Sequence, residues 1–122
     1  VFEPISGYLK VAEKLVEEGH KFSEAWNFGP EDSDAKPVSW IVQELCNSIP
    51  NAEWEIEKSP QLHEAGNLKL DSSKSKNLLN WKPKWSLQNA LEATTKWHLA
   101  WKKGDNMKSF SINQIKNFLE LN

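Results

Sequence analysis

The sequence predicts a mixed α/β fold that is mostly helical and has three short strands. Apolar residues recur every three or four positions in several stretches, which is typical of amphipathic helices. Three shorter runs are continuously apolar or alternate with polar residues, as strands do. The chain has no long βαβ series and no internal repeat. Because three brief strands make a poor sheet on their own, we expect part of a larger α/β protein.

The first 36 residues predict a helix, a strand and a loop. A proline in the first turn and a glycine after the last turn bound an amphipathic helix from Pro4 to Gly19. The run Ala25–Phe28 is too short and too aromatic for a helix and stops at a Gly-Pro pair, so we interpret it as a buried strand. The acidic stretch Glu31–Lys36 is rich in side chains that bond their own backbone, which predicts a loop.

The middle of the chain predicts one helix and two strands. Ser39 is placed to cap a helix that ends before Pro50. Apolar and acidic residues alternate strictly over Ala52–Glu57, which predicts a strand with one buried face. A loop from Lys58 to Gly66 then leads into the third predicted strand, Leu68–Leu70.

A short helix and a non-helical linker follow. Asp71 or Ser72 is placed to cap a brief helix that runs through Leu79. The proline within Trp81–Trp85 prevents a helix there and favours extended geometry for the residue before it. We expect the two tryptophans of this linker to wedge the turn between two helices.

Two helices complete the chain. Ser86 caps the longest periodic stretch, which ends at Gly104. A final helix is predicted to begin at Ser111, which opens a capping-box pattern, while Phe110 and Ile115 have the spacing of a hydrophobic staple.

The composition excludes several classes of function. The 122 residues are 39% apolar, enough for a single core. The net charge is −2 and every basic residue is lysine, so we expect no nucleic-acid partner and no bidentate arginine grip on an anion. The sequence also has no apolar run long enough to span a bilayer, and its one cysteine cannot form an internal disulfide. These features predict a cytoplasmic protein without membrane contact.

Most chemistry-bearing residues have an ordinary structural interpretation. The five glycines stand too far apart for a phosphate-binding loop, and the three histidines show no metal-ligand spacing. We therefore expect this chain to hold neither a dinucleotide cofactor nor a metal. The acidic row Glu53, Glu55 and Glu57 fits a solvated strand face, and His98 fits a packing position on the long helix. Six tryptophans fit packing positions better than sugar-stacking ones: Trp40, Trp54, Trp97 and Trp101 as core or interface residues, and Trp81 and Trp85 at the turn between two helices.

His63 and Glu64 are the exception. A histidine and a carboxylate stand together in a loop between two predicted strands, where functional groups are often displayed. The pair could bond a sugar hydroxyl or steady a phosphate, although an ordinary solvated loop would look the same.

Several motifs together resemble one family. In chain order they read VFEPISGYLKVAEKL, EAWNFGP, DAKPVSWIV and HEAGNLKLDSSKSKNLLNWKPKWSLQNALEATTKWHLAWKKGDNM. In this combination the chain resembles the carboxyl-terminal part of the CDP-glucose 4,6-dehydratases, within the extended short-chain dehydrogenase/reductase superfamily. The resemblance covers essentially the whole chain, and the opening on Val1 and Phe2 also suggests a segment of something longer.

The resemblance implies that residues 1–122 are the small carboxyl-terminal substrate-binding lobe, without the Rossmann domain. Its partners would be that missing N-terminal domain of the same chain and a CDP-sugar. The parent protein would be an NAD-dependent lyase that converts CDP-D-glucose to CDP-4-keto-6-deoxy-D-glucose in surface-polysaccharide synthesis. The family's cofactor motif and catalytic residues lie upstream of the matching part, so this chain alone is predicted to carry no catalytic residue and no activity.

The resemblance also implies candidate substrate-binding residues. In this superfamily the loop before the penultimate strand serves the nucleotide diphosphate, and here that loop holds His63 and Glu64. The short strand that ends in Asn27, Phe28 and Gly29 runs toward the substrate cleft in relatives and is the second choice.

Two other interpretations stay open. The lobe could belong to a different nucleotide-sugar epimerase, dehydratase or reductase, because a shared fold does not fix function. The chain could also be a free-standing helical module whose tryptophans contact a partner protein. If it is a lobe cut from a larger protein, exposed apolar faces should make it self-associate or only marginally stable.

Overall fold

A computed structural model describes residues 1–57 and 69–121. Within these ranges the chain forms five α-helices joined by short 3-10 turns and extended segments. The helices are α1 (Phe2–Glu18), α2 (Val38–Ser48), α3 (Ser73–Leu78), α4 (Leu87–Lys103) and α5 (Met107–Glu120). Helix α4 lies at the centre of the carboxyl-terminal half and contacts both α2 and α5.

The three predicted strands are the main error of the sequence interpretation. In the part of the chain that the structure describes, no residue belongs to a β-strand. Ala25–Phe28 and Ala52–Glu57 are irregular, and so are Lys69 and Leu70, while Leu68 lies outside the described residues. The fold of the described chain is therefore helical and not α/β.

Serine hydroxyls bond the backbone groups that a neighbouring strand would otherwise have paired with. Asn27 and Gly29 lie beside the segment that leads into α3, but their main-chain groups bond to serine hydroxyls. The Gly29 N–H donates to Ser72 Oγ at 2.7 Å, and the Asn27 carbonyl accepts from the Ser75 hydroxyl. Because buried backbone groups need partners of some kind, the pairing positions are satisfied without a neighbouring strand.

Helix α1 ends where the sequence predicts. Gly19 has φ 64°, a left-handed value that glycine adopts without strain, and its N–H donates to the Leu15 carbonyl. The helix begins at Phe2, two residues before the predicted start at Pro4. A proline in the first turn is tolerated because its missing N–H would have no partner within the helix.

Two predicted helix starts are wrong. Pro37, not Ser39, is the N-cap of α2, and no side chain caps that helix. Helix α5 begins at Met107, a full turn before the predicted start at Ser111, because Asn106 accepts the Ser109 N–H and caps it. The Phe110–Ile115 staple is therefore wrong as well, since both residues lie inside the helix.

Helix α4 confirms its prediction at both ends. The Ser86 hydroxyl accepts the Asn89 N–H at 3.2 Å, which is the predicted N-cap. Gly104 follows the last turn with φ 79°, and its N–H donates to the Ala100 and Trp101 carbonyls. Both residues predicted to cap α3 contribute to its start. Ser72 occupies the N-cap position, and the Asp71 carboxylate accepts the Ser73 N–H.

Trp81 lies at the centre of the buried core. It is 1% exposed and packs with Phe22 and Leu79. The Trp81 indole N–H donates to the Ser6 hydroxyl at 2.9 Å, which ties the linker to α1. Trp81 therefore has a packing role in the core, and the wedge between the two helices that flank the linker stays a prediction.

A second aromatic contact joins the two ends of the chain. The rings of Phe2, Trp85 and Phe118 lie within 5.5 Å of one another, centroid to centroid. One Glu3 carboxylate oxygen accepts the N–H groups of Lys84 and Trp85 at 2.9 and 2.7 Å. Helix α1 is thus fastened to the linker before α4 and to α5.

The outer face of α1 is apolar and exposed. Its members follow helical spacing and include Tyr8, Leu9 and Val16, which are 61%, 66% and 88% exposed. We call Ile5, Tyr8, Leu9, Ala12 and Val16 the α1 stripe.

No helix in the described ranges is long and apolar enough to cross a membrane.

Candidate functional site

A polar cavity lies where the extended segment after Phe28 meets the start of α3. Its volume is about 480 Å³. Two pieces of chain line it, residues 30–32 on one side and residues 69–73 with Lys76 on the other. Both pieces are held together through the serine hydroxyls described above, so the cavity is formed by tertiary contacts and not by one local motif.

Two exposed ion pairs cross this cavity. Lys69 Nζ lies 2.9 Å from an Asp32 carboxylate oxygen, and Lys76 Nζ lies 2.8 Å from a Glu31 carboxylate oxygen. Neighbouring acidic residues of the turn are thus each paired with a lysine from the opposite side. Exposed pairs of this kind contribute about 0–1 kcal/mol, so both lysines can exchange partners at little cost.

Asp71 is the remaining carboxylate of the cavity. The Ser73 side chain and the Ser73 N–H bond to it, and the Lys76 charge lies nearby; together these contacts hold the pKa of Asp71 below its ordinary value. Asp71 is therefore ionised at neutral pH. The cavity then carries three carboxylates and two ammonium groups among its described residues, together with the hydroxyls of Ser72 and Ser73.

The candidates Asn27, Phe28 and Gly29 lie beside the cavity and form internal contacts. The Asn27 amide donates to the Asp71 carbonyl at 3.2 Å, and the buried Gly29 N–H is held by Ser72. The Phe28 ring packs edge-on against Tyr8 and Trp81, at 5.6 and 5.0 Å. These contacts fix the direction in which the chain continues into Pro30 and Glu31. Contact of the three residues with a ligand stays a prediction.

The first-choice candidates, His63 and Glu64, lie outside the described residues. In the sequence Glu64 and His63 stand five and six positions before Lys69, which lines the polar cavity. The prediction that they bind substrate therefore stays untested.

The sequence interpretation missed the residues that line the cavity. It placed Glu31 and Asp32 in a solvated loop and gave Lys69 and Lys76 no role. A signal was available, because with no arginine in the chain any charged grip on an anion falls to lysine or histidine. Nothing in the sequence, however, shows which of fifteen lysines meet which carboxylates.

A second cavity, of about 310 Å³, lies between the start of α1, helix α4 and helix α5. Its walls are mainly apolar and include Phe2, Trp85 and Trp97. The Trp97 indole N–H donates to the Ser111 hydroxyl at 3.1 Å. Such walls offer packing area and few groups that could orient a charged ligand.

The packing role predicted for the tryptophans on helical apolar faces is confirmed only in part. Trp40 is half-buried, whereas Trp101 is 57% exposed at the end of α4. The described residues also bring no three histidine, cysteine or acidic side chains close enough to hold a metal ion.

Comparison with known proteins gives one informative similarity. No protein-family model matches the chain. The chain is 44% identical, over 98% of its length, to CDP-glucose 4,6-dehydratase of Salmonella typhimurium, and it spans 33% of that enzyme's length. The matching region is the carboxyl-terminal part of the enzyme. The resemblance carried by the sequence motifs is therefore confirmed: over nearly its whole length the chain is similar to the carboxyl-terminal part of a CDP-glucose 4,6-dehydratase.

Proposed function

We propose that the chain is the nucleotide-sugar-binding lobe of an NAD-dependent CDP-glucose 4,6-dehydratase. The observation that carries the proposal is the 44% identity over nearly the whole chain. The polar cavity supports it, because hydroxyls, carboxylates and lysines are groups that a sugar diphosphate can use.

The lobe supplies binding surface, and the rest of the enzyme supplies the cofactor site. A dinucleotide needs glycines whose small size lets the pyrophosphate approach the backbone. The described glycines have other roles here. Gly7 faces the Phe28 ring, Gly29 faces Leu70 and Ser72, and Gly19 and Gly104 end helices. These residues do not fit NAD, and the chain alone is expected to be inactive.

Within the lobe we assign two kinds of role. Lys69 and Lys76 are assigned to bind the ligand, because both line the polar cavity. His63 and Glu64, which stand shortly before Lys69 in the sequence, are assigned the same role. Asn27, Phe28 and Gly29 are positioning residues, since their own groups hold the neighbouring segment in place.

The α1 stripe supports the assignment to a lobe of a larger enzyme. Contiguous apolar patches on a protein surface mark places that another surface covers, and the remaining two-thirds of the enzyme would provide one. We expect the 122-residue chain by itself to self-associate through this face. Leu9→Glu should reduce association in sedimentation experiments, whereas Lys21→Glu, on the nearby 3-10 turn, should not. A monomer at all concentrations would contradict this assignment.

The test of the proposed function is a titration of the complete protein with CDP-glucose, dTDP-glucose and UDP-glucose. We expect CDP-glucose to bind most tightly and to be dehydrated in the presence of NAD. Preference for another nucleotide would favour a different nucleotide-sugar enzyme. An open reading frame without any dinucleotide-binding sequence before Val1 would favour the interaction module instead.

A further inference from the structure

The acidic turn beside the cavity presents two adjacent anionic groups to two lysines. Glu31 and Asp32 are consecutive, and each carboxylate forms an ion pair with one lysine ammonium group from the opposite side of the cavity. A diphosphate likewise presents two adjacent anionic groups. The turn therefore occupies the cationic groups that a diphosphate would require.

The charge balance makes this competition matter. Three carboxylates and two ammonium groups line the described part of the cavity, so its balance is negative while the ion pairs are closed. An incoming phosphate would meet like charges unless the acidic side chains move aside. Neither is buried: 85% of the Asp32 side chain and 48% of the Glu31 side chain are exposed. Both can swing into solvent without a desolvation penalty.

We propose that the Glu31–Asp32 turn is an internal competitor for the diphosphate of the nucleotide sugar, which must displace it from Lys69 and Lys76. The inference rests on the proposed function and deepens it. The turn lowers the affinity for any ligand that needs these two lysines, so tight binding requires further groups on the ligand besides the diphosphate.

The backbone geometry allows the side chains to exchange while the frame stays in place. Gly29 is buried and bonded to Ser72 two residues before Glu31, whereas the Glu31 and Asp32 side chains pair only with the two lysines among the described residues. Displacement therefore requires rotation of two exposed side chains and not a rearrangement of the fold.

The experiment compares the complete protein with its E31Q/D32N variant. Binding of pyrophosphate and of CDP-glucose is measured by calorimetry at low and at high salt. We expect the variant to bind pyrophosphate about tenfold more tightly at low salt, with a smaller gain at high salt because the interaction is electrostatic and screened. The CDP-glucose affinity should rise by a similar or smaller factor.

A matched control carries the same change of net charge elsewhere. Glu17 and Glu18 both pair with Lys14 at the end of α1, so E17Q/E18Q also removes two paired carboxylates. This control should change pyrophosphate affinity by less than about twofold. In a K69Q/K76Q background, which should itself bind pyrophosphate more weakly, E31Q/D32N should give no gain.

The outcomes separate the two proposals. If the unmodified protein binds CDP-glucose but E31Q/D32N does not tighten pyrophosphate binding, the competitor role is wrong and the proposed function stands. If CDP-glucose does not bind while pyrophosphate responds as expected, the proposed function is wrong and the competition is a property of an anion site. Absence of binding to both probes overturns both.

Discussion

The two ends of the segment from Asn27 to Asp32 are held in opposite ways. Phe28 and Gly29 are fixed by ring packing and by a buried hydrogen bond to Ser72. Glu31 and Asp32, a few residues later, are held only by exposed ion pairs. A binding cavity can thus combine a rigid frame, formed by Phe28, Gly29 and the residues that pack on them, with exchangeable charged side chains on its rim.

The largest loss of stability is expected from a substitution of Trp81, at the centre of the buried core. Trp81→Ala should lower the free energy of unfolding by about 3–5 kcal/mol, because it leaves a cavity and removes the bond to Ser6. Chemical denaturation measures the loss. Trp101→Ala removes the same side chain from an exposed position and should cost about 1 kcal/mol or less. Equal losses would show that Trp81 is not the centre of the core.

The next largest loss of stability is expected when the hydrogen bond between Ser72 and Gly29 is removed. Ser72→Ala leaves the buried Gly29 N–H without its acceptor, which should cost about 1–3 kcal/mol of unfolding free energy. Ser109→Ala, at an exposed helical position, is the control and should change stability by less than about 0.5 kcal/mol. Increased hydrogen exchange confined to Gly29 and its neighbours would locate the effect, and unchanged protection there would refute it.

Gly7 tests how closely α1 approaches the frame. A Cβ atom added at this position would lie 2.4 Å from the Phe28 ring, closer than carbon atoms can pack. Overpacking costs about 1–3 kcal/mol, while alanine restores about 1 kcal/mol of helix propensity. Gly7→Ala should therefore destabilise by up to about 2 kcal/mol in thermal or chemical unfolding. The penalty should shrink in a Phe28→Ala background, and a penalty that persists there would place its origin elsewhere.

The smallest effect concerns the pKa of Asp71, on the rim of the polar cavity. The Ser73 hydroxyl, the Ser73 N–H and the Lys76 charge lower the pKa of Asp71 below 3.8. A lowered pKa means that the ionised form stabilises the folded state; this contribution is present above the ordinary value and is lost as the pH falls through the folded value. An NMR titration should give a midpoint below 3.8, and Ser73→Ala should raise it. A midpoint at or above the ordinary value would contradict the geometry.

The sequence predicted the helices best where local signals were sufficient. Ser86 and Gly104 bound α4 because a hydroxyl cap and a left-handed glycine act within one turn of chain. Local signals failed where two alternatives competed. Asn106 and Ser111 are both good caps, and the earlier one was used, which extends α5 by a turn.

The strands could not be predicted from local pattern alone. Alternation over Ala52–Glu57 is compatible with a strand, but a strand needs a partner to supply its hydrogen bonds. None of the described residues provides a strand partner. At Gly29 the partner is a serine side chain forty-three positions away, and no local pattern encodes that choice.

Four features follow from the order of the amino acids alone, because each is a property of neighbouring residues or of composition. They are the helical periodicity, most helix ends, the absence of arginine and the resemblance to the dehydratases. The packing of Phe28 on Gly7 depends on the folded chain, and so does the pairing of Lys69 and Lys76 with Asp32 and Glu31. Such contacts join residues distant in the chain, and their formation depends on how all the helices pack at once. The cavity exists because of that packing.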